Sequence, residues 1–174
     1  IDRSKPQGER DYAIVETLYA CGLRVSELIN LKIRDIYQSD GLIRVIGKGN
    51  KERIVPIYPK ALNAIYRYIK EIRSHVEVQK GFEDFVFLNQ RGKSLSRVYV
   101  FKRIASLASI AGIKRRIGPH TLRHTFATHL IQNGADIIVI QSLLGHESIT
   151  TTEIYTHLEQ SHLRETVLKF HPRG

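Results

Sequence analysis

Leu42-Ile43-Arg44-Val45-Ile46-Gly47-Lys48-Gly49-Asn50-Lys51-Glu52-Arg53-Ile54-Val55-Pro56-Ile57 is the stretch whose reading decides the fold class. Leu42 to Ile46 and Arg53 to Ile57 are short β-prone runs, and Gly47 to Lys51 between them is a glycine-rich turn. Two such runs on either side of such a turn predict a β-hairpin. Most of the remaining chain has helical spacing. The expectation is therefore an α+β fold, mainly α, with a small antiparallel sheet inserted early.

Upstream of the hairpin, Ile1 to Glu9 is polar and contains Pro6 and Gly8. Residues 1–10 therefore read as a lead-in or linker, and 11–174 as one domain. Asp11 to Cys21 places Ile14, Val15, Leu18 and Tyr19 on one helical face, and Gly22 supplies a stop signal. A second short helix is predicted over Val25 to Leu31. Downstream, Leu62, Ile65, Tyr66, Ile69 and Ile72 predict a helix from Pro59 to about Val78. Phe85 to Leu88 reads as one more strand, followed by a basic loop from Asn89 to Lys93. Helices are then predicted over Arg97 to Ala111, His120 to Asn133 and Asp136 to Leu144, closed by Gly112, Gly134 and Gly145 respectively. Thr150 to Thr156 reads as a short helix. In the tail, Leu163, Val167 and Phe170 share a face that needs something to pack against.

The chain has 174 residues, enough for one domain with a real core. Hydrophobic residues make up 42% and charged residues 25%, a balance that argues against disorder. A formal net charge of +10 favours an anionic partner, nucleic acid first and a membrane surface next. Cys21 is the only cysteine, so no internal disulfide is possible, and its apolar surroundings predict a buried inert thiol. No long apolar run and no signal peptide is present, so a cytoplasmic protein is expected. Methionine is absent and the chain opens at Ile1, which suggests a piece of something longer.

The groups able to do chemistry fall in four short segments: Gly22-Leu23-Arg24-Val25-Ser26-Glu27-Leu28, Gly47-Lys48-Gly49-Asn50-Lys51-Glu52-Arg53, Pro119-His120-Thr121-Leu122-Arg123-His124, and Leu143-Leu144-Gly145-His146 running on to Thr151-Thr152-Glu153-Ile154-Tyr155. A phosphate-cradling P-loop is excluded at Lys48. Leu42 replaces its first glycine, and Gly49 stands where Ser or Thr must meet magnesium. His120 and His124 have i, i+4 spacing, yet Thr121 and Leu122 occupy the positions where a zinc protease motif needs its Glu, so no metal and no cofactor is expected. Glu27 lies one turn from Arg24 and can hold its guanidinium. As a surface pair this would contribute only roughly tenths of a kcal/mol.

Arg24, Lys48, His120-x-x-Arg123, His146 and Tyr155, in that order, closely resemble the catalytic set of the tyrosine recombinases, also called the phage-integrase family. The resemblance spans nearly the whole chain. It implies metal-free cleavage and rejoining of DNA through a 3′-phosphotyrosine. Tyr155 would be the nucleophile, Lys48 the acid that protonates the departing 5′ oxygen, and Arg24 and Arg123 the donors that neutralise charge on phosphorus. His120 and His146 would act as proton-transfer and hydrogen-bonding groups. Ionising an ordinary phenol at pH 7 costs about 4 kcal/mol, which converging cations would lower.

Leu143 to His146, Tyr155-Thr156-His157 and the closing Phe170-His171-Pro172-Arg173 are most similar to Xer-type members, which resolve chromosome dimers. The resemblance implies double-stranded DNA at a recombination site as substrate, a tetramer on DNA, and a C-terminal tail exchanged with a neighbouring protomer or folded back on its own. The resemblance further leads to the expectation that these residues are the catalytic domain alone, without the family's N-terminal DNA-clamping domain. Lys51, Arg53, Arg91, Lys93, Arg97, Lys102, Arg115 and Arg116 are the expected DNA-backbone contacts. A mobile-element integrase, a type IB topoisomerase, a non-catalytic DNA-binding regulator on the same fold and a plain basic scaffold are the rival readings.

Overall fold

The computed structural model describes residues 1–145 and 157–174. Helix α1 (Pro6–Cys21) runs through the middle of the molecule and packs against α3 (Pro59–Glu71) and α5 (Pro119–Gln132). It starts five residues before the expected Asp11, because Pro6 occupies a first-turn position where a missing N–H costs nothing. Residues 6–10 of the expected lead-in are accordingly helical. Glu9 and Arg10 are buried, and Arg3 lays its fork on Glu9 (Nε–Oε2 2.9 Å, Nη2–Oε1 2.6 Å). Gly22 ends α1 with φ +58°, a left-handed conformation that favours glycine.

Short helix α2 (Val25–Asn30) follows, then a 3-10 turn at Ile33–Asp35 and the sheet. The sheet has the order β1 (Ile36–Tyr37), β2 (Leu42–Ile46), β3 (Glu52–Pro56), all antiparallel, with Arg44 opposite Ile54 and Val45 opposite Arg53. The predicted hairpin is therefore present, extended by the two-residue β1. A single 3-10 turn at Lys48–Asn50 closes it.

Two expectations fail here for tertiary reasons. The helix expected to reach Val78 ends at Glu71 and gives way to a 3-10 turn at Arg73–His75. The buried Arg73 guanidinium there donates to the Phe85 carbonyl (2.9 Å), which draws the chain away from the helix axis. Phe85 to Leu88 is not a strand. It makes only isolated bridges, Lys32 with Phe85 and Leu88 with Ser94, and its apolar side chains fill the core without a ladder.

Helix α4 (Arg97–Ile110) begins at a Ser96 cap accepting from the Tyr99 N–H, and α6 (Ile137–Leu144) at an Asp136 cap accepting from the Ile138 N–H. Helix α7 (His157–Phe170) lies against β3, α5 and α6 of its own chain, with Leu163 and Val167 buried and Phe170 partly so. The following His171 is buried among the rings of Tyr19, Tyr58 and Phe126, and Arg173 pairs with the buried Glu16. The tail is thus folded back on its own domain, one of the two arrangements expected. The predicted helix at Thr150 to Thr156 lies outside the described residues.

Candidate active site

The site is built from the ends of elements. Arg24 stands at the residue just before α2, and the Glu27 carboxylate reaches back to it twice. Oε2 accepts from the Arg24 backbone N–H (2.8 Å) and Oε1 from Arg24 Nη1 (3.1 Å). The Arg24 side chain keeps 37% of its surface exposed, so its guanidinium is held at one end and open at the other. Glu27 itself is only 4% exposed, which excludes the bland surface-pair reading.

A second arginine explains how that carboxylate is buried. Arg53 Nη1 and Nη2 donate to Glu27 Oε1 and Oε2 at 2.8 and 3.0 Å, a fork-on-carboxylate pair. Burial pushes the Glu27 carboxyl up. Arg53, the Arg24 N–H and the nearby Arg123 charge outweigh it and leave the group below the usual range, so it is ionised at neutral pH. Removing either member of such a pair costs about 3–5 kcal/mol. Arg53 is 6% exposed, so it is not the DNA-backbone contact expected of it. Its strand position turns it inward beside Val55, and Glu27 is there to receive the charge.

Arg123, on the first turns of α5, ties two helix ends together. Its Nη1 donates to the Gly22 carbonyl at the end of α1 (2.5 Å) and its Nη2 to the Leu144 carbonyl at the end of α6 (2.7 Å). Carbonyls at helix C-termini lack intrahelical partners and carry partial negative charge, which makes them natural anchors for a guanidinium. Burial, then the repulsion of Arg24 and Arg53, lower the Arg123 pKa to about 10, partly offset by Glu27; the group stays charged at neutral pH. The Gly22 carbonyl that Arg123 holds lies only two residues before Arg24, so the two arginines are anchored at the same turn of the chain.

Lys48 sits exposed on the 3-10 turn at the hairpin tip, and the preceding Gly47 lies against the same hub. A methyl group on Gly47 would stand 3.5 Å from Glu27 Oε1 and 3.8 Å from Arg53 Nη1. His120 is exposed in the first turn of α5, one turn from Arg123. His146 and Tyr155 lie outside the described residues.

Of the expected DNA contacts, Lys51, Arg91, Lys93, Arg97, Lys102, Arg115 and Arg116 are all exposed. Asn89 Oδ1 accepts from the backbone N–H of both Arg91 (2.8 Å) and Lys93 (3.2 Å), which fixes that loop, and the Arg116 guanidinium lies 5.4 Å from the Phe101 ring centre. Cys21 is fully buried, and burial pushes its thiol pKa up, as expected of an inert cysteine. Among the described residues no three His, Cys, Asp or Glu side chains are grouped to hold a metal ion, and no helix is long and apolar enough to cross a membrane. The arrangement suits a phosphate whose oxygens gain charge. It offers two anchored guanidinium groups, an exposed ammonium on a short turn and an exposed imidazole.

Residues 1–162 match the model of the phage integrase family. The chain is 48% identical over 173 residues to the tyrosine recombinase XerD of Listeria monocytogenes serotype 4b (strain F2365), covering 99% of this chain and 58% of that protein. It is 47% identical over 165 residues to XerD of Chlorobaculum tepidum, covering 95% of this chain and 54% of that one. Among solved structures, the XerA recombinase superposes with a TM-score of 0.75 at 40% identity over 97% of this chain and 60% of that one. The XerH recombinase in its pre-cleavage complex with difH substrate gives 0.75 at 32% identity, over 95% and 48%. The chain therefore spans little more than half the length of the relatives it matches.

Proposed function

The chain belongs to the phage integrase family, and on that premise we propose that it is the catalytic part of a tyrosine-type, site-specific DNA recombinase of the Xer kind. Its substrate is duplex DNA at a recombination site, bound with further recombinase protomers as a tetramer, and its task is the resolution of chromosome dimers in the cytoplasm. The identity to XerD proteins over nearly the whole chain supports the Xer assignment over a mobile-element integrase.

In this reading the Tyr155 phenolic oxygen attacks the scissile phosphorus and forms a phosphotyrosine bond. The bond to the 5′ oxygen breaks, and the Lys48 ammonium delivers the proton that makes that oxygen a competent leaving group. His120 is within the set able to take the phenolic proton, and His146 donates a hydrogen bond to the phosphate. Arg24 and Arg123 neutralise the charge that builds on the non-bridging oxygens. Because the phosphotyrosine bond conserves the energy of the phosphodiester, a 5′-hydroxyl from another strand reverses the attack with no added energy source. Lys51, Arg91, Lys93, Arg97, Lys102, Arg115 and Arg116 hold the DNA backbone.

The observation that supports this most is the convergence of Arg24 and Arg123 from helices far apart in the chain, both anchored, with Arg123 still charged at neutral pH. The test is a nicked suicide duplex incubated with the protein in excess EDTA. Wild type forms a denaturation-resistant adduct, and Tyr155→Phe binds the same DNA without forming one. An adduct in the Phe variant, or activity that zinc or magnesium must restore, sinks the assignment.

A further inference from the structure

We propose that Arg53 is a positioning residue for strand cleavage, setting Arg24, the base of the Lys48 turn and the end of α6 through a single buried guanidinium. The inference rests on the recombinase reading above. Arg53 is only 6% exposed, so it would act through its neighbours and not on substrate directly. All three nitrogens of its planar head are used: Nη1 and Nη2 on the two oxygens of Glu27, and Nε on the Leu143 carbonyl at 2.9 Å. A planar fork with a third donor in a fixed direction is something only arginine supplies; lysine offers the charge without the geometry.

Each of those contacts leads to a candidate catalytic residue. Glu27 Oε1 is shared between Arg53 Nη1 and Arg24 Nη1, so the plane of the carboxylate that Arg53 fixes is the plane against which Arg24 is oriented. Gly47 packs on the Arg53–Glu27 pair, so the pair also forms the floor beneath the hairpin turn that presents Lys48. Leu143, held by Arg53, precedes Leu144, whose carbonyl is held by Arg123. Successive carbonyls at the end of α6 are thereby bound to the two arginines. The fit is close there as well: a methyl group on Gly145 would stand 3.1 Å from Arg53 Cδ. A guanidinium that merely neutralised Glu27 would need none of the other contacts.

The experiment uses Arg53→Lys, which keeps the charge and loses the fork. Nicked fragments of the source organism's genomic DNA are captured covalently by wild type, and the best-captured duplex is resynthesised as a suicide substrate. Single-turnover cleavage and DNA affinity are then followed from acid to neutral pH, at a temperature where circular dichroism shows the variant folded. The expected result is unchanged affinity and cleavage slowed on the order of tenfold to a hundredfold, the cost of misplacing a catalytic group by a fraction of an ångström to an ångström. The acid limb of the rate profile should also move toward neutral pH, because a buried Glu27 without its fork protonates more readily. A purely stabilising role would lower the melting temperature and leave that limb in place.

Cleavage by Arg53→Lys at the wild-type rate, or slower cleavage with an unmoved acid limb, overturns the inference. Should Arg53→Lys fail to fold, Glu27→Asp decides, since it keeps both charges and shortens the carboxylate out of register with the fork. It should show the same slowing and the same displaced limb, and a wild-type rate and profile would refute the idea. Failure of wild type itself to capture any duplex counts against the recombinase reading, and so is told apart from failure of this one.

Discussion

Replacing Gly22 by alanine tests the join on which the site is hung. Gly22 has φ +58°, and a Cβ there would lie 2.5 Å from Phe126 Cδ1, 2.9 Å from Phe126 Cε1 and 3.0 Å from Leu144 Cδ2. Holding a non-glycine residue in the left-handed region costs roughly 1–2 kcal/mol. Phe126 is fully buried, so its ring has no free space to retreat into, and overpacking of this kind adds typically about 1–3 kcal/mol. The sum is roughly 2–5 kcal/mol, which for a domain of this size lowers the melting temperature by about 4–20 °C. Gly112→Ala supplies the control, because Gly112 also has positive φ (+75°) but nothing stands within 4 Å of the place its new methyl group would take. It should lose only the conformational share, roughly 1–2 kcal/mol. Urea unfolding of the two variants beside wild type, read by circular dichroism with the slopes compared, measures both. Equal losses in the two variants, or a Gly22→Ala loss below that of Gly112→Ala, would show that the Phe126 contact has been misjudged.

Three further outcomes are expected. Burial, reinforced by His129 and Arg173 and opposed by the Tyr19 carbonyl and Glu16, lowers the His171 pKa to about 4 from an ordinary 6.5. The unfolded chain therefore binds the extra proton first. Stability from this group is complete above pH 6.5 and is lost as pH falls toward 4, by up to about 3 kcal/mol; a His171→Phe variant should show a shallower loss in urea unfolding over that window, and an unchanged slope would refute the sign. Lys48→Ala should lose most cleavage on ordinary DNA and regain much of it on a substrate with a bridging 5′ sulfur, which leaves without a proton; Arg123→Ala should gain nothing from sulfur, and equal rescue of both removes the general-acid role. Val167→Ala, at a fully buried position of α7, should cost about 1–3 kcal/mol in thermal unfolding if the tail stays on its own domain, and a variant as stable as wild type would mean it does not.

The hairpin and most helices were legible because their signals are local. Glycine-rich turn chemistry marked Gly47 to Lys51, and glycines at 22, 112, 134 and 145 marked helix ends. The misses came from partners far along the chain. Pro6 reads as a breaker until the Arg3–Glu9 pair shows that a helix starts there. Phe85 to Leu88 has strand composition, yet no neighbouring strand exists among the described residues to complete a ladder. Arg53 looked like one more surface cation. Period-two alternation along β3 places it on the same side as the buried Val55, and that alternation, weighed together with Glu27, was the available sign that its charge pointed inward. Arg24 and Arg123 were found by motif, but their anchors, the carbonyls of Gly22 and Leu144 and the carboxylate of Glu27, are visible only once α1, α2, α5 and α6 are assembled.

The bonds that tie this cluster together join residues far apart in the chain: Arg53 reaches across 90 residues to Leu143, and Arg123 across 101 to Gly22. Closing loops of that length comes late in folding and makes it slow, because the entropy of closure is lost before the contacts are gained. A ribosome that has delivered only the hairpin has made a chain with Arg24, Glu27, Lys48 and Arg53 but without Arg123 or the end of α6. The complete cluster therefore comes into being with the finished domain, and a chain cut short before α6 lacks the carbonyls that Arg53 and Arg123 hold.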